Sequence, residues 1–151
     1  MVSYRRIMTQ SEQVHDSPTG WVAEHINDYV ESDGAKGHMW KGVPTLLLTT
    51  RGRHSGKLRR SALIYGRLGD AYVVVGSKGG AVNHPLWYLN LRANPEVEIQ
   101  VGPERLKAHA RDATEEERPG LWEQMTGLWP AYNDYQKRTD RQIPVVVIDP
   151  L

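Results

Sequence analysis

The ten residues Arg51–Arg60 (RGRHSGKLRR) carry five permanent cations, two glycines and Ser55 in one short stretch. Guanidinium forks bind phosphates and carboxylates bidentately, and glycine lets backbone N–H groups approach an anion closely. The stretch is therefore suited to oxyanion capture, although a run of cations is as often a solvated face. Its surroundings favour a ligand. From Gly34 to Gly69 there are eight basic residues and no acid, a local charge of +8 that leaves −7 on the rest of a chain whose net charge is +1. A second anion-friendly turn, Ser77-Lys78-Gly79-Gly80, follows an apolar run and projects from its end; taken alone, it is an ordinary Gly-Gly loop.

The aromatic residues form the other group with chemical potential. There is no Phe, so 5 Trp and 7 Tyr carry the whole aromatic load, each with a polar handle that seeks a partner when buried. Trp87, Tyr88 and Asn90 fall on one short helical segment, and Trp129, Tyr132 and Tyr135 cluster near the C-terminus. Such rings can stack on a planar heterocycle while Asn90 reads its polar edge. For Trp87 and Tyr88, core filling is the stronger reading. The polar or helix-breaking neighbours Pro130, Asn133, Asp134 and Gln136 place Tyr132 and Tyr135 at a pocket rim.

Several chemistries lose ground. With no cysteine there is no disulfide, thiolate metal site or Cys nucleophile. The six histidines show no metal-ligand spacing, which argues against a metal site. The segment Gly52–Lys57 is one residue short of a P-loop and is not a G-x-S-x-G elbow. No G-x-G-x-x-G follows a strand, so a Rossmann nicotinamide site is not indicated. Residues 1–17 are polar without a signal-peptide core, and no apolar run approaches a membrane span, so a cytoplasmic location with at most peripheral membrane contact is expected.

The elements that must position these groups can be read from periodicity. A first helix is expected over about 18–32, with Ser17 as cap and Pro18 in the first turn, followed by a loop over 35–44 that could be mobile. Six strands are expected: 45–50, 58–68, 71–77, 96–101, 105–111 and 143–148, with Gly69-Asp70 as a two-residue hairpin turn. A short helix opens at Pro85 and stops at Asn94-Pro95. A third runs to Leu128, starting either at Thr114, which forms a capping-box pair with Glu117, or near Pro119. Many short strands with tight turns predict an α+β, mainly β chain: an antiparallel barrel with peripheral helices. Residues 1–44 are read as an N-terminal helix and loop that could serve as a lid, with the first 17 residues open to disorder, and 45–151 as the cofactor-binding domain.

Four ordered segments carry a resemblance: Leu48–Gly56 (LTTRGRHSG), Ser77–Gly80 (SKGG), Asn83–Leu91 (NHPLWYLNL) and Pro130–Gln136 (PAYNDYQ), with Asn94-Pro95, Ala110–Thr114, Thr139–Arg141 and Ile143-Pro144 between and after them. Over 45–151 the chain resembles the deazaflavin (F420)-dependent nitroreductase family. The resemblance implies a split β-barrel of the FMN-binding kind and the oligoglutamylated 8-hydroxy-5-deazaflavin coenzyme F420. It implies that Arg53, His54, Ser55, Arg59 and Arg60 hold the anionic tail. Ser61, Ala62, Leu63, Val75, Gly76, Ser77, Lys78, Leu86, Trp87 and Asn90 would line the remainder of the coenzyme, and Tyr132 would face the deazaflavin. Tyr132, Tyr135 and Ser77 would position a conjugated acceptor such as a quinone or nitroaromatic, with Trp21 and Trp129 also at the substrate. The family pattern has Tyr where this chain has Trp129 and Lys where it has His54, the latter removing a permanent cation. An FMN oxidoreductase on the same barrel, a nucleic-acid-binding barrel and a carrier without turnover are the rival expectations. Acids on the strand over 96–101 speak against nucleic acid.

Overall fold

The computed structural model describes residues 12–17 and 20–151, apart from the side chain of Trp21. Residues 1–11, and with them most of the stretch read as open to disorder, lie outside the described residues, as do Pro18 and Thr19 of the expected helix start. The fold is mixed α+β and mostly sheet. In chain order the strands are β1 (Val14–Asp16), β2 (Met39–Trp40), β3 (Val43–Arg51), β4 (Leu58–Ile64), β5 (Gly66–Leu68), β6 (Ala71–Val75), β7 (Glu96–Val101), β8 (Glu104–Asp112) and β9 (Val145–Pro150). The helices are α1 (Gly20–Glu31), α2 (Leu86–Ala93), α3 (Arg118–Leu128) and α4 (Ala131–Lys137).

Alternation along β6 and β9 creates two cores. Tyr72 and Val74 of β6, with Val146 and Ile148 of β9, face Leu46, Leu48, Ile99 and the buried side of α2 (Trp87, Tyr88, Leu91). Ala71, Val73, Val75, Val145 and Val147 face the opposite way, against Leu121 and Met125 of α3 and Tyr132 of α4. Val or Ile at seven of the eleven positions of β6 and β9 suits strands covered on both faces. α1 closes a third cluster by burying Ile26 and Tyr29 on Leu47. Gly34, at φ +86°, ends that turn: its N–H meets the carbonyl of Tyr29 at 2.8 Å, and any Cβ there would collide with Gly102.

The sheet runs β1-β4-β3-β7-β8-β9-β6-β5, with β2 added to β3. All pairings are antiparallel except β1 with β4. The antiparallel barrel expected from the sequence does not close among the described residues, because no ladder joins β5 back to β4 or β1. The expected single strand 58–68 divides at Tyr65, where the chain changes partners from β3 to β6. Gly66 makes that switch under α3, where a Cβ would strike Gln124 and Met125. Since β4 and β5 sit near opposite ends of the sheet yet are separated by Tyr65 alone, the sheet must curl until its ends approach one another.

Three other expectations are corrected. The loop over 35–44 contains β2, a hairpin with β3 turning at Lys41-Gly42, both at positive φ. Residues 14–16, unassigned from sequence, form β1 on β4. Both expected features of the third helix coexist: Thr114 and Glu117 exchange capping hydrogen bonds at 2.9 and 3.1 Å, and α3 proper begins at Arg118 with Pro119 in its first turn.

Candidate active site

One cavity of about 970 Å³ opens between the curled sheet, the tips of α2 and α4 and the N-terminal segment. The loop between β3 and β4 supplies Arg53, His54 and Ser55; β4 supplies Arg59, Arg60, Ser61, Ala62 and Leu63; β6 and the turn after it supply Val75, Ser77 and Lys78. α2 contributes Leu86, Trp87 and Asn90, and the C-terminal helices contribute Trp129, Tyr132 and Tyr135. Of the residues singled out from sequence, Gly76 stands apart: it does not line the cavity, and its carbonyl accepts from Arg141 Nη1 at 3.1 Å. The Trp21 side chain lies outside the described residues.

The basic loop is shaped before any ligand arrives. Arg51 closes it by donating to the Gly56 carbonyl at 2.6 Å, Gly52 and Lys57 pair through their backbones, and Ser55 Oγ accepts from the Lys57 N–H at 3.2 Å. Asn90 anchors it to α2: its Oδ1 accepts from the Arg53 N–H at 3.1 Å, and its Nδ2 donates to Thr50 Oγ1 at 3.3 Å. The role expected for Asn90, reading a heterocycle edge, is thus joined by a scaffolding task absent from the sequence reading. Buried at 5% exposure, the amide fixes where the loop stands.

Arg141, which no spacing argument singled out, organises the Ser77–Gly80 turn. Its guanidinium donates to the carbonyls of Ala81 (2.8 Å), Gly76 (3.1 Å) and Ser77 (2.7 Å) and to His84 Nδ1 (3.0 Å). Burial and the two guanidinium charges nearby hold the His84 imidazole below its ordinary pKa, consistent with a neutral ring accepting from Arg141. Lys78 sits at φ 46°, the left-handed region that a non-glycine residue seldom adopts, and Gly80 packs directly on the backbone of Tyr135. The turn, α4 and the cavity floor are therefore one mechanical unit.

Cations and aromatic rings share the lining. Arg53, Arg59 and Lys78 carry no carboxylate partner among the described residues, whereas Arg60 donates to Asp16 at 2.6 Å. Tyr132 packs edge-on against Tyr135 at 6.2 Å between ring centres, and Trp129 lies 5.2 Å from Trp40. Tyr132 is 6% exposed, and its hydroxyl has no hydrogen-bond partner among the described residues. Burial first, then the neighbouring Tyr135, pushes its phenol well above the usual 10, so it remains a proton-bearing donor. Trp40, His15, Asp16, Ser17, His25 and Thr45 also line the cavity. Sequence reasoning missed His15, Asp16 and Trp40 because their strands are two or three residues long, too short for a periodic signal, whereas His25 of α1 and Thr45 of β3 lie on elements the sequence announces but carry no local mark of a site.

A curled, mostly antiparallel sheet around a cavity lined by both cations and aromatic rings marks a small α+β protein suited to holding a cofactor. The sequence profile of the family described as F420H(2)-dependent quinone reductase matches residues 21–150. An F420H(2)-dependent quinone reductase of Mycobacterium tuberculosis is 43% identical over 141 residues, covering 85% of this chain and 95% of the relative. Among solved structures, an F420-H2 dependent reductase (FDR-A) is 41% identical with a TM-score of 0.65, covering 70% of this chain and 94% of that one. Another, described as a domain-swapped dimer, is 39% identical with a TM-score of 0.68, covering 88% of this chain and all of that one. The chain belongs to the F420H(2)-dependent quinone reductase family.

Proposed function

We propose that this protein is a reductase that transfers a hydride from reduced coenzyme F420 to a conjugated acceptor, of which a quinone fits best. The observation that carries the reading is one cavity lined both by Arg53, Arg59 and Lys78, which have no carboxylate partner among the described residues, and by Tyr132, Tyr135 and Trp129. At about 970 Å³ the cavity lies at the upper end of the ~300–1,000 Å³ usual for small-molecule sites. The residues present fit such a group. A polyanionic tail is matched by cations on a preorganised loop, and a planar head by the wall formed by Ala62, Leu63, Val75, Leu86 and Trp87.

When bound, the coenzyme supplies a hydride from the central carbon of its deazaflavin ring. The chain's own residues do the rest. Arg53, Arg59 and Arg60, with His54 and Ser55, bind and orient the tail. Ser77 and Lys78, held by Arg141, fix the middle of the cavity. Tyr132 presents its hydroxyl toward the acceptor oxygen and stabilises the charge that develops there, with Tyr135 behind it. Trp129 and Trp40 flank a planar acceptor and exclude water. Nitroaromatic acceptors are a secondary class, since Trp129 is bulkier than the Tyr of the nitroreductase pattern.

The curled sheet, with β4 and β6 both supplying walls to one cavity, supports a split-barrel assignment, with residues 1–44 as the covering segment and 45–151 as the cofactor-binding part. No helix among the described residues is long and apolar enough to cross a membrane, and a cytoplasmic protein that meets its acceptor in solution or at a membrane surface fits this reading. Parallel titrations with oxidised F420 and with FMN test the function. Saturable binding of F420, at least tenfold tighter than FMN, is expected; preference for FMN would assign the cavity to the rival flavin chemistry.

A further inference from the structure

β1 lies parallel to β4, with His15 opposite Arg59 and Asp16 opposite Arg60, and the Ser17 N–H extends the contact to the Arg60 carbonyl at 3.1 Å. The strand brings two carboxylates onto the cations of the acid-free stretch. Arg51 donates to Glu12 at 2.7 and 3.2 Å, and Arg60 Nε donates to Asp16 Oδ1 at 2.6 Å. The pairs differ in place. Arg51 and Glu12 are outside the cavity and 40% and 39% exposed, whereas Arg60 and Asp16 both line it and are 20% and 30% exposed. Asp16 is the single carboxylate among the described residues that line the cavity, which also include Arg53, Arg59, Arg60 and Lys78. A site shaped only for maximal anion affinity would exclude it, because a like charge a few ångströms from the ligand's anions opposes their binding.

We propose that Asp16 is a specificity determinant for the anionic part of the coenzyme: by occupying Arg60 it limits the negative charge that the cavity's cations accept, and so sets how steeply affinity depends on tail length. This rests on the assignment of the cavity to F420. Asp16 acts through Arg60 as a positioning residue. Arg60 keeps its terminal nitrogens for the ligand while Asp16 holds its Nε and lowers the local charge.

The test compares wild type, Asp16→Asn and Glu12→Gln against F420 with short and long oligoglutamate tails and against the tailless deazaflavin at riboflavin level. Binding is measured at several salt concentrations, with melting curves to confirm folding. Asp16→Asn is expected to tighten tailed F420 by roughly three- to tenfold, more for the longer tail, and to steepen the salt dependence. The tailless compound should bind as to wild type, and Glu12→Gln should leave the tail dependence alone. Unchanged or weaker binding of tailed F420 by Asp16→Asn overturns the proposal, as does an equal change for the tailless compound or the same effect from Glu12→Gln, either of which marks loosening of β1. Failure of wild type to bind any deazaflavin overturns the F420 assignment itself, and is distinguishable from failure of the Asp16 role.

Discussion

Tyr132 shows why position outranks residue type in this site. A phenol in water is a weak hydrogen-bond partner that solvent already satisfies; at 6% exposure, lining the cavity and with no hydrogen-bond partner among the described residues, the same group is placed to donate to a bound acceptor. Its raised pKa keeps the proton in place across the physiological range, so the donor does not switch off with alkaline pH. The expected outcome for Tyr132→Phe is a fall in kcat for quinone reduction of roughly tenfold or more, with F420 affinity nearly unchanged. Steady-state and binding measurements on one preparation separate the two. A variant that loses affinity and keeps kcat would move Tyr132 from the acceptor to the coenzyme.

At the scale of elements, the site depends on ties between helices and sheet. Arg111 of β8 grips Glu117 through two hydrogen bonds at 2.7 and 3.0 Å and reaches Asp149 of β9 at 3.2 Å, so the start of α3 is fastened to two strands. The Arg111 guanidinium first, and the Thr114 N–H second, hold the Glu117 carboxyl at about 2, below the ordinary 4.5. A carboxylate whose folded-state pKa is depressed contributes stability above its unfolded value and loses it as pH falls through the folded one. The melting temperature of wild type should therefore drop between about pH 4.5 and pH 2, and Glu117→Gln should start lower at neutral pH and show a shallower decline over that interval. Parallel slopes for the two proteins would show that the Glu117 tie contributes nothing.

For the whole molecule, the parts legible in the sequence are those with long periods or dense chemistry. β7 and β8 alternate over six and nine residues, β3 and β9 are apolar and β-branched runs, and the RGRHSG and SKGG turns announce themselves by composition. The residues that were not legible share one physical reason: their roles come from tertiary contacts with no local signature. Tyr65 looks like one more residue of a strand, yet it is where the sheet changes ends. Asn90 looks like a ligand contact, yet it also pins the Arg53 loop. Asp16 lies in a polar stretch without periodicity, yet it reaches the cavity because β1 docks on β4. Arg141 belongs to the Thr139–Arg141 motif with no role readable from it, yet four acceptors converge on it. Curling of the sheet brings Asn90 and Asp16 to one cavity, and Arg141 braces the turn whose Ser77 and Lys78 line it.

The proposed reaction is hydride transfer from reduced F420 to a quinone within that cavity. It is followed by the visible absorbance of F420 as the reduced coenzyme is oxidised, in the presence of catalytic amounts of the protein and a soluble benzoquinone or naphthoquinone, with hydroquinone formation quantified in the same samples. Oxidised F420 and hydroquinone are expected in equal amounts, at a rate proportional to protein and well above the uncatalysed reaction. No acceleration over the uncatalysed rate, or equal turnover with reduced FMN in place of F420, would contradict it.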